Sequence, residues 1–304
     1  MNIGEADKHL RQQLQSIYEE GECKAISLLI VEDCTDLAPA VIRLNPDKEL
    51  TGEAEERLQR HLQRLMKHEP VQYITTKTWF YGMELYVDSN VLIPRPETEE
   101  LVNWVIKDMK ASGKDVFEKS ATDADETTKL KILDIGTGSG WIALALKNTI
   151  PKAEVWGCDV SEEALNVARR NGAALNIRVD FQGLDFLDEA QQKLLPTVDV
   201  IVSNPPYIPL GEKDGMNANV VQYEPHSALF VPDEKALIFY EAIAQFAHKR
   251  LYEGGSIYLE VHENLSKEVA GLFVQKGYSV EVKKDMQEKD RMVKAISGMS
   301  NSLR

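Results

Sequence analysis

Leu133-Asp134-Ile135-Gly136-Thr137-Gly138-Ser139-Gly140-Trp141 stands where an apolar run gives way to a helical pattern, and its reading decides the fold. Residues 132–135 read as a strand and 139–148 as a helix. The glycines between them let backbone approach a ligand closely, and the helix N-terminus offers free N–H groups. Downstream the same alternation continues, with strand candidates at 154–159, 198–203 and 256–261 and weaker ones near Val179, Val280 and Val293. Helical stretches lie at 161–171, 234–250 and 266–276. This alternation predicts an α/β domain with a mostly parallel sheet covered by helices on both faces.

Upstream the pattern is different. Leu10, Leu14, Ile17 and Tyr18 form one helical stripe, Ala25, Ile26, Leu29 and Ile30 a second, and Leu58, Leu62, Leu65 and Met66 a third that stops before Pro70. Aromatic and β-branched runs around Gly82 predict a hairpin, and Pro94-Arg95-Pro96 ends it. A helix follows with Leu101, Val102, Val105 and Ile106 on one face, and residues 111–129 are polar and predict a loop. The expected organisation is a helical domain over 1–76, a hairpin linker over 77–93 and the α/β domain over 94–304.

Among 304 residues, 49 acidic side chains outnumber 35 basic ones, for a formal charge of −14. Such a field repels nucleic acid and anionic membranes. Cys23, Cys34 and Cys158 are odd in number and far apart, so neither a disulfide framework nor a zinc knuckle is expected, and the histidines show no metal-ligand spacing. No leader peptide or membrane span is legible. The expectation is a cytoplasmic protein with no bound metal.

The glycine loop departs from the G-x-G-x-x-G of nicotinamide-binding folds, because its third glycine comes one residue early and Trp141 fills the expected place. The G-x-G-x-G form led by Asp134 suits a ligand without a pyrophosphate, and it looks like the first motif of S-adenosylmethionine-dependent methyltransferases. Asp159 closes the next strand candidate, where a carboxylate can accept from both ribose hydroxyls. Asp185 and Phe186 follow the third, where a carboxylate and a ring can hold an adenine amine and face.

Val200-Ile201-Val202-Ser203-Asn204-Pro205-Pro206-Tyr207 runs a buried strand straight into a stiff turn. The Asn204 side-chain carbonyl and the Pro205 carbonyl are two convergent acceptors for a planar NH₂ group, with the Tyr207 ring against its plane. An amide or aniline-like nitrogen is a poor nucleophile because its lone pair is delocalised. Acceptors on its N–H groups strengthen their hold as the nitrogen becomes tetrahedral and positive, which favours the transition state. The rigid turn also supplies the in-line approach that methyl transfer requires.

With both motifs in view, the chain resembles the HemK/PrmC family, which methylates the glutamine side-chain amide in the GGQ motif of peptide chain release factors. The likeness covers nearly the whole length and includes Leu92-Ile93-Pro94-Arg95-Pro96-Glu97-Thr98-Glu99, similar to the release-factor branch rather than the ribosomal-protein branch. It implies a Rossmann-like class I methyltransferase domain. It also implies that Asp134, Gly136, Thr137, Gly138, Ser139, Gly140, Asp159, Asp185, Phe186 and Asn204 bind S-adenosyl-L-methionine, leaving S-adenosyl-L-homocysteine as product. Asn204, Pro205, Pro206 and Tyr207 would hold the target amide and carry the chemistry, with Phe80 and Glu224 as further substrate-pocket residues. Two features depart from the family pattern: no glycine follows Glu260-Val261-His262, and the loop at 111–129 is long.

Three rival readings differ in class. An adenine-amino DNA methyltransferase uses the same N-P-P-Y turn on a flipped base, but needs phosphate-neutralising residues that the acidic balance leaves little room for. A nicotinamide oxidoreductase is disfavoured by Trp141, and a non-catalytic adaptor by the intact Asn204 and Tyr207. The one basic stripe, Arg57, Arg60, Arg64 and Lys67, reads either as a solvated face or as a docking face for an acidic protein surface.

Overall fold

The computed structural model describes residues 1–112 and 129–298, so most of the polar stretch expected as a loop at 111–129 lies outside the described residues. The chain divides into two compact units, Met1–Lys77 with Met216–Tyr223, and Thr78–Gly215 with Glu224–Arg304. The short segment Met216–Tyr223 therefore lies with the helical unit, whereas the sequence alone places it in the α/β domain.

The first unit holds α1 (Ile3–Leu14), α2 (Glu20–Thr35), α3 (Pro39–Leu44), α4 (Gly52–Leu65) and α5 (Val71–Thr75). Asn2 and Glu5 close a reciprocal capping box on α1, and the Thr51 hydroxyl caps α4 by accepting from Ala54 N–H; each such cap is worth about 1 kcal/mol. Leu10, Leu14, Ile30, Leu58 and Leu65 are fully buried in its core. Five stripe residues depart from the expectation: Ala25 and Leu29 are exposed, Ile17 and Tyr18 lie past the end of α1, and Met66 lies past the end of α4. α2 is apolar on most of its circumference, so periodicity alone does not fix which face turns inward. It buries Ser27 and Asp33 instead, with the Ser27 hydroxyl donating to Asp7 Oδ1 at 2.6 Å.

Asp33, Cys34 and His61 are buried together in this unit, a set of metal-ligand types that the spacing did not announce. The Asp33 carboxylate is engaged by His61 Nε2 at 2.8 Å and the Arg57 guanidinium at 2.9 Å, both on the same oxygen.

β1 (Lys77–Phe80), which from Thr78 onward belongs to the second unit, and β2 (Met83–Tyr86) form the expected hairpin. Its two-residue turn has φ of 49° at Tyr81 and 74° at Gly82, the geometry whose twist matches paired strands. Glu99 Oε1 accepts the Tyr81 N–H at 2.7 Å and anchors the turn to α6 (Pro96–Ala111). The α/β layer then runs β3 (Lys131–Ile135), α7 (Trp141–Thr149), β4 (Glu154–Asp159), α8 (Glu162–Leu175), β5 (Asp180–Gly183), β6 (Val198–Ser203) and β7 (Ile208–Pro209). After α9 (Ala218–Tyr223), which belongs to the first unit, come β8 (Phe230–Val231), α10 (Ile238–Arg250), β9 (Leu251–Glu260), α11 (Ser266–Gln275), β10 (Tyr278–Lys284) and β11 (Asp290–Ser297).

The main sheet has the order β10-β11-β9-β6-β3-β4-β5, with β11 antiparallel to both neighbours and the remaining pairs parallel. One apolar cluster packs the hairpin, α6 and α7 on one face; a second packs α10 and α11 on the other. The chain leaves β3 for β4 and β5 on one side, then returns to β6 and β9 on the other. The carboxyl ends of β3 and β6 thus flank a topological switch point, where open α/β sheets bind ligands. The Ser203 hydroxyl, donating to Ile135 O at 2.7 Å, ties the two strand ends together.

Candidate active site

A cleft of about 850 Å³, open to solvent, lies at this switch point. Each strand end contributes one part of it. After β3, Gly136 and Gly138 line the cleft with φ of 71° and 54°, and a Cβ at Gly136 would meet no atom within 4 Å. The glycine loop folds back on β4, since Gly136 N–H and Thr137 N–H both donate to Cys158 O at 2.9 Å. Gly140 serves the packing instead. It caps α7, and its Cβ would press on Phe181, Ala168 and Leu144 at 3.0 to 3.2 Å.

Asp159, at the end of β4, lines the cleft. Its Oδ2 accepts from Gly138 N–H at 2.9 Å and its Oδ1 from Ser161 N–H at 3.0 Å. Burial raises its pKa, against these backbone donors, which favour the charged form. The cap on α8 is Ser161, so Asp159 is free of that duty and its carboxylate keeps acceptor capacity for a ligand. Beyond β5, Asp185 is exposed at the rim, while the Phe186 ring is 5% exposed and packs edge-on against Phe246 at 5.4 Å. Both line the cleft.

After β6, Asn204, Pro205 and Pro206 complete the lining. Asn204 Nδ2–H donates to Thr98 Oγ1 at 3.2 Å, and the Thr98 hydroxyl donates to Glu260 Oε2 at 2.5 Å. Tyr207 turns its hydroxyl the same way, donating to Glu260 Oε1 at 3.1 Å. Thr98 is wholly buried and Glu260 is 4% exposed. Burial pushes the Glu260 carboxyl up, and the Thr98 and Tyr207 hydroxyls and Arg291 oppose that shift.

Several residues expected at the site stand behind it. Asp134 is wholly buried: its Oδ2 takes the Thr137 hydroxyl at 2.6 Å and Ala143 N–H at 3.2 Å, so it braces the glycine loop from within. Thr137 and Ser139 are also fully buried and absent from the lining. Phe80 does not wall the cleft. It lies 1% exposed beneath Trp141, ring centroids 4.9 Å apart, and it is Trp141 that faces the cavity. Glu224 is likewise a clamp rather than a lining residue, with Oε2 accepting from Ile93 N–H at 3.1 Å and Oε1 paired with Arg95 at 2.5 Å. It fastens the Leu92–Pro96 stretch, of which Leu92 reaches the cleft, to the segment that brings Pro225, Ser227 and Ala228 there.

Sequence reasoning passed over Thr98, Glu260 and Asn171 as site residues, although each left a signal. Thr98 is one turn before Leu101 and Val102 on the buried face of α6, a polar residue on an apolar stripe. Glu260 ends the apolar run Ile257-Tyr258-Leu259 at the carboxyl end of a central strand. Asn171 interrupts the buried face of α8; its amide spans Tyr86 O and Ser139 O at 3.0 Å each and accepts from Tyr86 N–H.

Among the described residues, the lining includes Asp159 and Asp185 but neither lysine nor arginine. This donor set disfavours an anionic pyrophosphate and suits a ligand of net positive charge, such as the sulfonium and ammonium of S-adenosyl-L-methionine. The open space at Gly136 and the ring of Phe186 fit the rest of that group.

Residues 5–75 match the model of the PrmC N-terminal domain, and residues 119–222 that of the methyltransferase small domain. The release factor glutamine methyltransferase of Flavobacterium psychrophilum is 38% identical over 93% of this chain and 95% of its own length. That of Bacteroides thetaiotaomicron is 38% identical over 94% of this chain and 97% of its own. Among solved structures, the hMettl16 catalytic domain in complex with MAT2A 3′UTR hairpin 6 aligns with a TM-score of 0.54 at 14% identity, covering 86% of this chain and 88% of that one, a likeness of fold alone. The chain belongs to the release factor glutamine methyltransferase family, built on the class I S-adenosylmethionine-dependent methyltransferase fold.

Proposed function

We propose that this protein methylates the side-chain amide nitrogen of the GGQ glutamine in peptide chain release factors. What carries the reading is that the glycine loop and the Asn204–Pro206 turn border one cleft, within a chain related over nearly its full length to enzymes of that name. Gly136, Gly138, Asp159, Asp185 and Phe186 would hold S-adenosyl-L-methionine, with Asp159 accepting from the ribose hydroxyls and Phe186 against the adenine. When bound, that cofactor supplies an electrophilic methyl group on a sulfonium, whose departure needs no metal.

The protein's part is to present the nucleophile. Asn204 Oδ1 and the Pro205 carbonyl accept from the two N–H groups of the glutamine amide, holding its plane against the proline turn. As the nitrogen gives its delocalised lone pair to the methyl carbon, its protons become more acidic and both bonds strengthen. S-adenosyl-L-homocysteine would be the leaving group, and one of the two N–H protons is lost to water to give the neutral N-methyl amide. The donors and acceptors are fixed beforehand, so little reorganisation is required at the moment of transfer. The helical unit serves as the docking platform for the release factor, and neither DNA nor a membrane is a partner. Among the described residues no helix is long and apolar enough to cross a membrane. The three cysteines are free and buried, which suits a reducing compartment, and we place the protein in the cytoplasm.

The test incubates the enzyme with methyl-labelled S-adenosyl-L-methionine and full-length release factor. Label is expected at the GGQ glutamine, and no transfer would refute the reading. Asn204→Ala should lower kcat by about 10²-fold or more, the loss typical of one transition-state acceptor or donor. Activity within tenfold of wild type would remove Asn204 from its role.

A further inference from the structure

The amide of asparagine is nearly symmetric in shape, and only its hydrogen bonds decide whether oxygen or nitrogen faces a substrate. For Asn204 the decision is made two residues away, by groups that do not line the cleft. We propose that Thr98 and Glu260 are positioning residues that hold the Asn204 carbonyl toward the cleft.

Counting protons fixes the orientation. Each Glu260 oxygen faces a hydroxyl, and these two donors with Arg291 favour the ionised form against burial. In that form the carboxylate only accepts, so the Thr98 hydroxyl 2.5 Å from Oε2 spends its single proton there. Thr98 Oγ1 is then left with lone pairs alone. Whatever Asn204 atom lies 3.2 Å from it must donate, and only Nδ2 can. The Asn204 oxygen is forced to the opposite side, where a substrate NH₂ needs an acceptor. With the amide reversed, two oxygens without a proton between them would face each other in the interior, and two NH₂ groups would meet at the substrate. The Tyr207 hydroxyl donates to the other oxygen of the same carboxylate at 3.1 Å, so one buried anion sets both side chains of the turn. This gives the Glu97-Thr98-Glu99 stretch a role that its distance in sequence from Asn204 hides. Thr98 lies on α6, Glu260 ends β9, and Asn204 follows β6.

The inference rests on the glutamine-amide reading for its consequence in catalysis, but its test is separable. Thr98→Val is isosteric and lacks the hydroxyl; Thr98→Ser keeps the hydroxyl and lacks the methyl. Positioning predicts that Val lowers kcat about tenfold or more, with KM for the release factor and cofactor affinity within threefold, and that Ser stays within threefold of wild type. A merely packing role predicts the reverse order, and Val at wild-type kcat or Ser as impaired as Val would overturn the proposal. Side-chain amide exchange at Asn204, followed by NMR in wild type and Thr98→Ser, needs neither substrate nor the Val variant. One slowly exchanging Nδ2 proton in both is expected, and solvent-fast exchange of both protons overturns the assignment. Should wild type fail to methylate the release factor, the substrate reading falls while the exchange result still judges Thr98.

Discussion

The Asp134 carboxyl has one satisfied and one unpartnered oxygen: Oδ2 receives the Thr137 hydroxyl and Ala143 N–H, while Oδ1 is buried without a hydrogen bond. Burial pushes its pKa up to about 7. In the unfolded chain an aspartate titrates near about 3.9. Below that value both states hold the proton and the contribution to stability is complete. From there to about 7 the unfolded chain releases a proton that the native state keeps, so the contribution falls as pH rises and is lost through the folded value. Wild type should therefore lose stability between about pH 4 and 7 relative to Asp134→Asn, which carries no charge to bury. At about 1.36 kcal/mol per unit the divergence is of the order of a few kcal/mol. Urea midpoints measured across that range check it, and parallel curves would refute it. The same residue shows what a motif string hides. Asp134, Gly136, Thr137, Gly138 and Ser139 are close in sequence, yet only the two glycines line the cleft. At a turn with positive φ the side-chain directions follow the backbone path, which spacing does not encode.

Elements were legible wherever one face is apolar and the ends carry caps or prolines. α6 begins at Pro96 and buries Leu101, Val102, Val105 and Ile106, and β3, β4 and β6 occupy the apolar runs that announced them. β9 starts at Leu251, five residues before its apolar run, because Tyr252 to Gly254 are exposed and give no strand signal. α4 carries three of the four residues of the basic stripe. Arg57 pairs with Asp33, Arg60 with Glu56 at 3.8 Å, and Arg64 makes a two-pronged bond with Glu69 at 2.6 and 2.8 Å. Acids of the same unit lie beside these three charges, which supports the reading of a solvated face. Reversing Arg57, Arg60, Arg64 and Lys67 to glutamate should leave KM for the release factor within threefold of wild type. It should instead lower stability, chiefly through Arg57→Glu, which sets a second carboxylate beside buried Asp33. That loss is about 1–2 kcal/mol once the 40% exposure of Arg57 is allowed for. A tenfold rise in KM at unchanged melting temperature would restore the docking reading.

At the scale of the molecule, the order of strands places all the parts at one edge. The glycine loop, Asp159, Phe186, Asn204 and Glu260 come from five strand ends spread over some 125 residues of sequence, and the switch point between β3 and β6 gathers them. Patterns of alternation foretold that gathering because crossover handedness leaves few alternatives. They did not foretell that Met216–Tyr223 would lie with the helical unit, since a long-range packing choice leaves no period in a sequence. Net charge is the other whole-molecule property, and it separates the two nitrogen substrates that an N-P-P-Y turn can serve. A protein that grips a duplex must neutralise phosphates, and each neutralised phosphate steepens the fall of affinity with salt by nearly one unit of log–log slope. Here the charge is −14, the cleft lining has no lysine or arginine among the described residues, and three cations of the basic stripe are paired with acids. Binding to a labelled DNA duplex, read by fluorescence anisotropy from about 50 to 200 mM salt, should stay weaker than about 10⁻⁴ M, the weak limit of ordinary non-specific binding. Plasmid DNA given with methyl-labelled cofactor should stay unlabelled. Micromolar affinity with a salt slope of several units, or label on adenine, would mean that local charge placement outweighs the global field and that the turn serves a base.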